Sequence, residues 1–158
     1  MKRVLVIEDE GYVARLVTLA LEMRGVPAVV DHVADGGLGK IKAASGSYDL
    51  ITLDIAMPLM DGVEALSAIK ADPRSKDTPV VIITGVQDVG LEGKVRAMGA
   101  AEFIMKPFGV EDLGEKLGRV LDNSGDQDAP VPWRAGLAAD MKRIGMPIRI
   151  IDGPPAKV

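Results

Sequence analysis

Five short runs of consecutive apolar residues recur along the chain, and they limit its fold more than any other feature. The runs lie at 4–7, 28–33, 48–54, 79–84 and 102–105. A strand with one face in water alternates between apolar and polar residues, whereas these runs are nearly continuous. They therefore predict strands that are covered on both faces, as in a parallel sheet.

The segments between these runs carry apolar residues at the spacing of a helix. The first helix ends near Gly25, and further helices are predicted over 35–45, 61–71, 89–98 and 109–122. This alternation predicts an α/β fold, in which five helices flank a doubly wound five-stranded parallel sheet with right-handed crossovers. In such folds, ligands bind beyond the carboxyl ends of the strands, where the strand order reverses.

The character of the sequence changes after residue 122, and this change predicts the domain organisation. Residues 1–122 form the predicted domain, and residues 123–158 form a linker and a short C-terminal tail. Within the tail, apolar residues at helical spacing predict an amphipathic helix over 133–145, through Trp133, Leu137, Met141 and Ile144. The tail is too short for a core of its own or for a DNA-binding helix-turn-helix domain.

The composition argues against several classes of function. A net charge of −4 and an aromatic content of 3% supply neither the positive surface nor the stacking side chains that nucleic-acid binding needs. No apolar run approaches the ~18 residues of a membrane-spanning helix. Cysteine is absent, which excludes disulfides and thiolate metal sites. We therefore expect a cytoplasmic protein that binds neither nucleic acid nor a membrane directly.

Carboxylates follow two of the predicted strands. Glu8 and Asp9 come directly after the first strand, and Asp54 ends the third. Two such charges ~4 Å apart repel by about 4 kcal/mol at an effective dielectric constant of about 20, so a proton or a divalent cation must lie among them. An all-oxygen ligand set favours Mg²⁺. A simpler interpretation remains open, because acids also favour the N-terminus of a following helix and Asp54 could be a turn residue.

Two further polar residues follow predicted strands. The fourth strand ends in Thr84, and Lys106 comes directly after the fifth. Taken singly, Thr84 is a common residue at a strand end and Lys106 is a common surface charge. Polar groups after four of five strands are harder to explain separately, and together they predict one site at the carboxyl edge of the sheet.

Four motifs and their spacing resemble the receiver domain of bacterial two-component response regulators. The motifs are IEDE at 7–10, LDIAMPLMDG at 53–62, ITG at 83–85 and KPF at 106–108. The resemblance covers about residues 1–122 and is to the CheY-like, single-domain type, which implies the strand order 2-1-3-4-5. It also implies that Asp54 accepts a phosphoryl group from a phosphohistidine on a sensor histidine kinase or a histidine phosphotransfer protein.

The same resemblance implies a metal site beside Asp54. Mg²⁺ would be bound by Asp9, Asp54 and the backbone carbonyl of Ala56, with Glu8 acting through a water molecule. The peptide bond between Lys106 and Pro107 would be cis. Phosphoryl transfer needs a positioned nucleophile and neutralisation of spreading negative charge, and this set of groups provides both.

The resemblance also implies how phosphorylation would change the surface. Lys106 and Thr84 would bind phosphoryl oxygens, and Phe103 would turn inward behind Thr84. A downstream protein target would then bind the face formed by the fourth helix, the fifth strand and the fifth helix. Ala56 and Val86 offer no polar side chain to orient a water molecule, so we expect a phosphoacceptor with at most slow self-dephosphorylation and not an enzyme.

Two other interpretations and one further docking hypothesis accompany this prediction. Haloacid-dehalogenase-like phosphatases also use an aspartyl nucleophile and Mg²⁺, but they need a second aspartate where this chain has Ala56. A module that acts independently of phosphorylation, through binding or homodimerisation by residues 123–158, is the second alternative. Separately, Gly114 and Gly118 lie four residues apart on the last predicted helix, and they predict a shallow groove in which a partner helix could dock.

Overall fold

Five strands and five helices alternate along the residues that the computed structural model describes, which are 1–57 and 60–122. The strands are β1 (Lys2–Ile7), β2 (Ala28–Val33), β3 (Leu50–Leu53), β4 (Val80–Thr84) and β5 (Glu102–Met105). The helices are α1 (Gly11–Met23), α2 (Gly36–Ser45), α3 (Gly62–Ala71), α4 (Leu91–Ala97) and α5 (Val110–Asp122). Within these described ranges, no helix is both long enough and apolar enough to cross a membrane.

The strands form one parallel sheet in the order β2-β1-β3-β4-β5. This order and the doubly wound α/β class confirm the prediction. The register places Ile7 opposite Leu53, so β1 and β3 end side by side. The backbone N–H of Asp54 donates to the carbonyl of Ile7 over 3.0 Å, which fixes the residue after β3 beside the residue after β1. The reversal of strand order therefore falls where the acidic residues were predicted to meet.

The two faces of the sheet bury separate apolar layers. Leu5 and Ile7 of β1 belong to the layer that α2, α3 and α4 cover, whereas Val4 and Val6 belong to the layer beneath α1 and α5. All residues of β3 and β4 are buried, which confirms that the central runs are covered on both faces.

Strand β2 does not follow that prediction. It forms an edge of the sheet, and only its last residue, Val33, is buried. Val29 is 46% exposed, and the hydroxyl of Tyr48 donates to the carboxylate of Asp31 over 2.6 Å. An edge strand lacks a neighbour on one side, so its side chains are covered less completely and polar residues are tolerated among the apolar ones.

The docking groove predicted beside Gly114 and Gly118 is filled by the chain itself. A Cβ atom at Gly114 would lie 2.9 Å from Cδ of Arg24 and 3.0 Å from the carbonyl oxygen of Ala20. At Gly118 it would lie 2.8 Å from Nε of Arg24. These glycines therefore admit the end of α1 against α5, and the prediction of a groove for a partner helix is wrong.

Candidate functional site

The carboxyl ends of β1 and β3 bring three acidic side chains together. Glu8, Asp9 and Asp54 each offer a carboxylate oxygen, and these oxygens lie within 4.8 Å of one another. Glu8 and Asp54 are buried, with 1% and 4% of their surfaces exposed, whereas Asp9 is open to solvent. The site is therefore a shallow pit with buried carboxylates at its base and one accessible carboxylate at its rim.

Lys106 enters this pit from the end of β5. Its Nζ atom lies 3.0 Å from Oε2 of Glu8, 3.3 Å from Oδ2 of Asp54 and 3.7 Å from Oε2 of Glu10. The backbone N–H of Lys106 donates to the carbonyl of Thr84 over 2.9 Å, which continues the pairing of β4 with β5. The bond between Lys106 and Pro107 is cis, as the resemblance implies. The strand register thus places one ammonium among three carboxylates.

Burial changes the protonation of this cluster. Burial, which is the largest cause, and the nearby charge of Asp54 together raise the pKa of Glu8 to about 8, although the hydrogen bond from Lys106 acts in the opposite direction. Burial alone would lower the pKa of Lys106, but the hydrogen bond to Glu8 and the charge of Asp54 raise it. One positive charge does not balance three carboxylates, so the pit holds a proton or accepts a cation. The carboxylates of Glu8, Asp9 and Asp54, whose oxygens lie within 4.8 Å of one another, suit a hard divalent cation such as Mg²⁺.

The other predicted residues surround Asp54 at defined places. The backbone N–H of Ala56 donates to Oδ1 of Asp54 over 3.1 Å, which holds the carboxylate in one orientation. Thr84 is fully buried, and its Oγ1 accepts a hydrogen bond of 3.2 Å from the N–H of Val86. Phe103 is 8% exposed and belongs to the apolar layer beneath α4. Thr84 and Phe103 therefore lie on neighbouring strands behind the pit.

Three residues at the site were missed or given another role in reading the sequence. Gly62 begins α3, and a Cβ atom there would lie 2.1 Å from the carbonyl oxygen of Asp54. Asp61 caps α3 by accepting from the N–H of Glu64 over 2.9 Å, so the Asp-Gly pair starts the helix and lets it approach the loop. The pair was visible in the motif, but its contact with Asp54 depends on the path of the loop. Glu10 was read only as one of a run of acids at a helix start.

Comparison with known proteins places this fold and site among the two-component signalling proteins. Residues 4–118 match the family model of the response regulator receiver domain. The chain therefore belongs to the response regulator receiver domain family, which confirms the resemblance, and the family's function is that of a signalling phosphoacceptor domain.

Three similar proteins illustrate the relationship. The transcriptional regulatory protein PcoR of Escherichia coli is 32% identical over 143 residues, which cover 90% of this chain and 62% of PcoR. The chemotaxis protein CheY4 of Vibrio cholerae superimposes with a TM-score of 0.67 at 31% identity, over 76% of this chain and 98% of CheY4. The receiver domain of the sensor histidine kinase PA1611 of Pseudomonas aeruginosa has a TM-score of 0.66 at 26% identity, over 76% and 97% of the two chains. That structure has a magnesium ion coordinated in its active site cleft.

The chain spans between about half and 62% of the length of the curated relatives. Their names describe transcriptional and DNA-binding regulators, which are statements about those longer proteins. The partners and output of the present chain are therefore matters for proposal. The boundary at residue 122 and the role of 123–158 stay predictions, since 123–158 lie outside the described residues.

Proposed function

We propose that Asp54 is the phosphoacceptor of a two-component or phosphorelay pathway and that its phosphorylation requires Mg²⁺. The observation that carries this proposal is the placement of the Asp54 carboxylate, with Oδ2 3.3 Å from Nζ of Lys106 and two further carboxylates within 4.8 Å. A carboxylate is a competent nucleophile toward phosphorus when the charge of the phosphoryl group is neutralised.

The residues of the chain would share the work of transfer. One carboxylate oxygen of Asp54 bonds to phosphorus while the bond from phosphorus to the donor imidazole nitrogen breaks, and that nitrogen keeps the electron pair. Lys106 binds phosphoryl oxygens, and Thr84, which accepts from Val86, keeps its own hydroxyl proton to donate to the group. When bound, Mg²⁺ would neutralise further charge, and Asp9, Asp54 and the backbone carbonyl of Ala56 would hold it, with Glu8 acting through water.

The direct test is phosphorylation of the whole chain by acetyl phosphate with Mg²⁺, followed by intact mass and peptide mapping. We expect a gain of one phosphoryl group on the peptide that contains Asp54, and no gain when EDTA removes the metal. A phosphoryl group on any other residue, or no gain at all, would contradict the proposal. The same assay with a histidine kinase or phosphotransfer protein as donor would identify the partner class.

The raised pKa of Glu8 predicts that Mg²⁺ binds more tightly as the pH rises. Below a pH of about 8 the Glu8 carboxyl keeps its proton, and the metal must displace it. We expect the affinity to rise by up to about tenfold per pH unit between about pH 6 and pH 8, and then to level off. Titration calorimetry across this range measures the slope. Glu8→Gln should bind Mg²⁺ more weakly and with little pH dependence, whereas an unchanged slope in that variant would assign the proton elsewhere.

The same pKa shift has a consequence for stability. Because the folded state keeps the Glu8 proton above the ordinary pKa of 4.5, its contribution to the stability of the metal-free protein is fully present below that pH and is lost as the pH rises through about 8. Added Mg²⁺ should therefore raise the melting temperature more at pH 9 than at pH 6.

The surroundings of Asp54 predict a long-lived aspartyl phosphate on the isolated protein. Ala56 is exposed and Val86 is half-buried, and neither side chain can hydrogen-bond an attacking water. We expect Ala56→Asn to shorten the phosphoryl lifetime severalfold, because an amide at this position can orient water. Ala71→Asn, at the exposed end of α3, is the matched control. A lifetime of seconds on the unmodified chain would show that water is activated by another group.

The proposed output surface is formed by α4, β5 and α5, with Thr84 and Phe103 as the switch residues behind it. Arg96 of α4 lies 3.0 Å from Glu92 and 2.7 Å from Glu102 at the start of β5, so one guanidinium ties α4 to the sheet. Helix α4 has only seven residues, and a helix of that length is easily reorganised. These features support binding of a downstream protein target that recognises the phosphorylated form.

The proposed phosphodonor and the proposed catalytic activity are based on membership of the receiver domain family. A sensor histidine kinase or a histidine phosphotransfer protein is the proposed donor, and slow self-dephosphorylation is the only catalytic activity proposed. The absence of direct nucleic-acid and membrane binding, a possible homodimer and a cytoplasmic location stay predictions. The comparisons give no support to the alternative in which residues 123–158 act without phosphorylation, and those residues lie outside the described ranges.

A further inference from the structure

Glu10 is the third carboxylate in contact with Lys106, and it differs from the other two in exposure. Its Oε2 atom lies 3.7 Å from Nζ of Lys106, and 52% of its side chain is open to solvent. The side chains of Glu8 and Asp54 are only 2% and 5% exposed. Lys106 therefore bridges the base of the pit and its rim, and Glu10 is its partner on the solvent side.

The position of Glu10 is not explained by the start of α1. Glu10 is the N-cap residue, but its carboxylate accepts no hydrogen bond from the first turn of the helix, unlike Asp35 in α2 and Asp61 in α3. Its backbone N–H donates to Oε1 of Glu8 over 3.3 Å. The Glu10 carboxylate therefore does not cap α1 by a hydrogen bond, and it extends toward Lys106 instead.

Tyr12, the second residue of α1, interacts with the Glu10 side chain. A hydrogen bond between the two side chains, together with burial and the charge of Glu10, raises the pKa of the Tyr12 hydroxyl. Tyr12 is 44% exposed, so this pair forms part of the rim that a phosphodonor must pass. The Glu10 carboxylate thus interacts with both Lys106 and Tyr12.

We propose that Glu10 is a positioning residue that holds Lys106 toward the rim of the pit in the unphosphorylated protein. Its charge also selects against small anionic phosphodonors. This inference rests on the proposed phosphorylation of Asp54. In that step an oxygen of Asp54 bonds to phosphorus, and the leaving group, a carboxylate oxygen for an acyl phosphate or an imidazole nitrogen for a phosphohistidine, keeps the electron pair.

Two effects follow from the placement of the Glu10 charge. The ammonium of Lys106 has three hydrogen-bond donors, and in the unphosphorylated protein it lies close to three carboxyl groups. Its interaction with Glu10 therefore competes with the binding of phosphoryl oxygens by Lys106. The same charge repels a small anionic donor, which approaches within the ~8 Å over which charges act at physiological salt. A donor presented on a protein surface can offset this repulsion with contacts of its own, whereas a small molecule cannot.

The test compares Glu10→Gln with the unmodified chain, using acetyl phosphate and Mg²⁺. We expect the rate constant for phosphorylation of Asp54 to rise about threefold to tenfold, since a charge at this distance contributes on that scale. Added salt should accelerate the unmodified chain more than the variant. Beryllofluoride, which occupies the phosphoryl position without transfer, should bind the variant more tightly in the presence of Mg²⁺.

Glu22→Gln is the matched control. It makes the same change of charge on the same helix, and Glu22 is an exposed residue at the opposite end of α1 from the site. We expect its rate and its salt dependence to equal those of the unmodified chain. Glu10→Asp keeps the charge but shortens the reach to Lys106, so it should keep the salt dependence and gain only in beryllofluoride affinity.

The outcomes separate this inference from the proposed function. If Asp54 is phosphorylated equally fast in all four proteins, with one salt dependence, Glu10 has no such role and the inference is wrong. A slower Glu10→Gln variant would also overturn it, because Glu10 would then assist transfer. If the unmodified chain takes no phosphoryl group on Asp54 from any donor, the proposed function itself fails, and the inference fails with it.

Discussion

Asp54→Asn is expected to abolish phosphorylation by acetyl phosphate and by a phosphohistidine donor, down to background. The amide of asparagine is not a nucleophile toward phosphorus. Among the residues that the structure describes, Glu8 is then the remaining carboxylate that is both buried and in contact with Lys106. Glu8 is a poor substitute because burial keeps its proton in place up to a pH of about 8. Intact mass after incubation with donor and Mg²⁺ gives the readout.

Folding should survive this substitution. Removing one of three neighbouring carboxylates reduces their repulsion, so the melting temperature of Asp54→Asn should equal or exceed that of the unmodified chain. Asp61→Asn is the matched control, because it makes the same chemical change a few residues away and asparagine serves equally well as the N-cap of α3. The control should be phosphorylated at the normal rate. Retained phosphorylation of Asp54→Asn would move the acceptor to another residue.

Gly62→Ala is expected to disturb the site although residue 62 contributes no functional group. The added methyl would lie 2.1 Å from the carbonyl oxygen of Asp54 and 2.6 Å from Cα of Ile55, so the loop or the start of α3 has to move. Overpacking of this kind costs about 1–3 kcal/mol of stability. A displacement of about 1 Å in the nucleophile can slow transfer by about a hundredfold. Denaturant unfolding and the phosphorylation rate measure the two effects.

Gly93→Ala provides the contrast. Gly93 lies within α4, and a Cβ atom there would meet no atom of the described residues within 4 Å beyond its chain neighbours and its own helical backbone. We expect the free energy of unfolding to increase by about 0.5–1 kcal/mol, because alanine loses less backbone entropy in a helix. Equal effects of the two substitutions would show that the close approach at Gly62 does not matter.

The central part of the fold could be predicted because burial on both faces leaves a clear pattern. The continuous runs of β3 and β4 follow directly from two covering layers of helices. Strand β2 was described incorrectly because its run looks similar, although Asp31 is half-buried and His32 is exposed. Apolar content alone does not distinguish an edge strand from a central one, since the difference lies in the neighbours.

The acidic site could be predicted in part. The residues after β1 and β3 were identified because parallel strands end at a common edge, and this needs no side-chain detail. The contact of Glu10 with Lys106 could not be predicted in the same way, because it depends on the rotamers of two long side chains. The approach of Gly62 to Asp54 depends on the path of a loop, which local sequence does not determine.

The hydrogen bond between Lys106 and Glu8 joins residues that are 98 positions apart in the chain. Contacts of such high sequence separation form only when the intervening strands have paired, so they are acquired late in folding. A chain that lacks β5 would contain the proposed acceptor, Asp54, but not the ammonium of Lys106 beside it. Under the proposed function, competence to take up a phosphoryl group would therefore be a property of the completed sheet, and an incompletely synthesised or partly unfolded molecule would not take part in signalling.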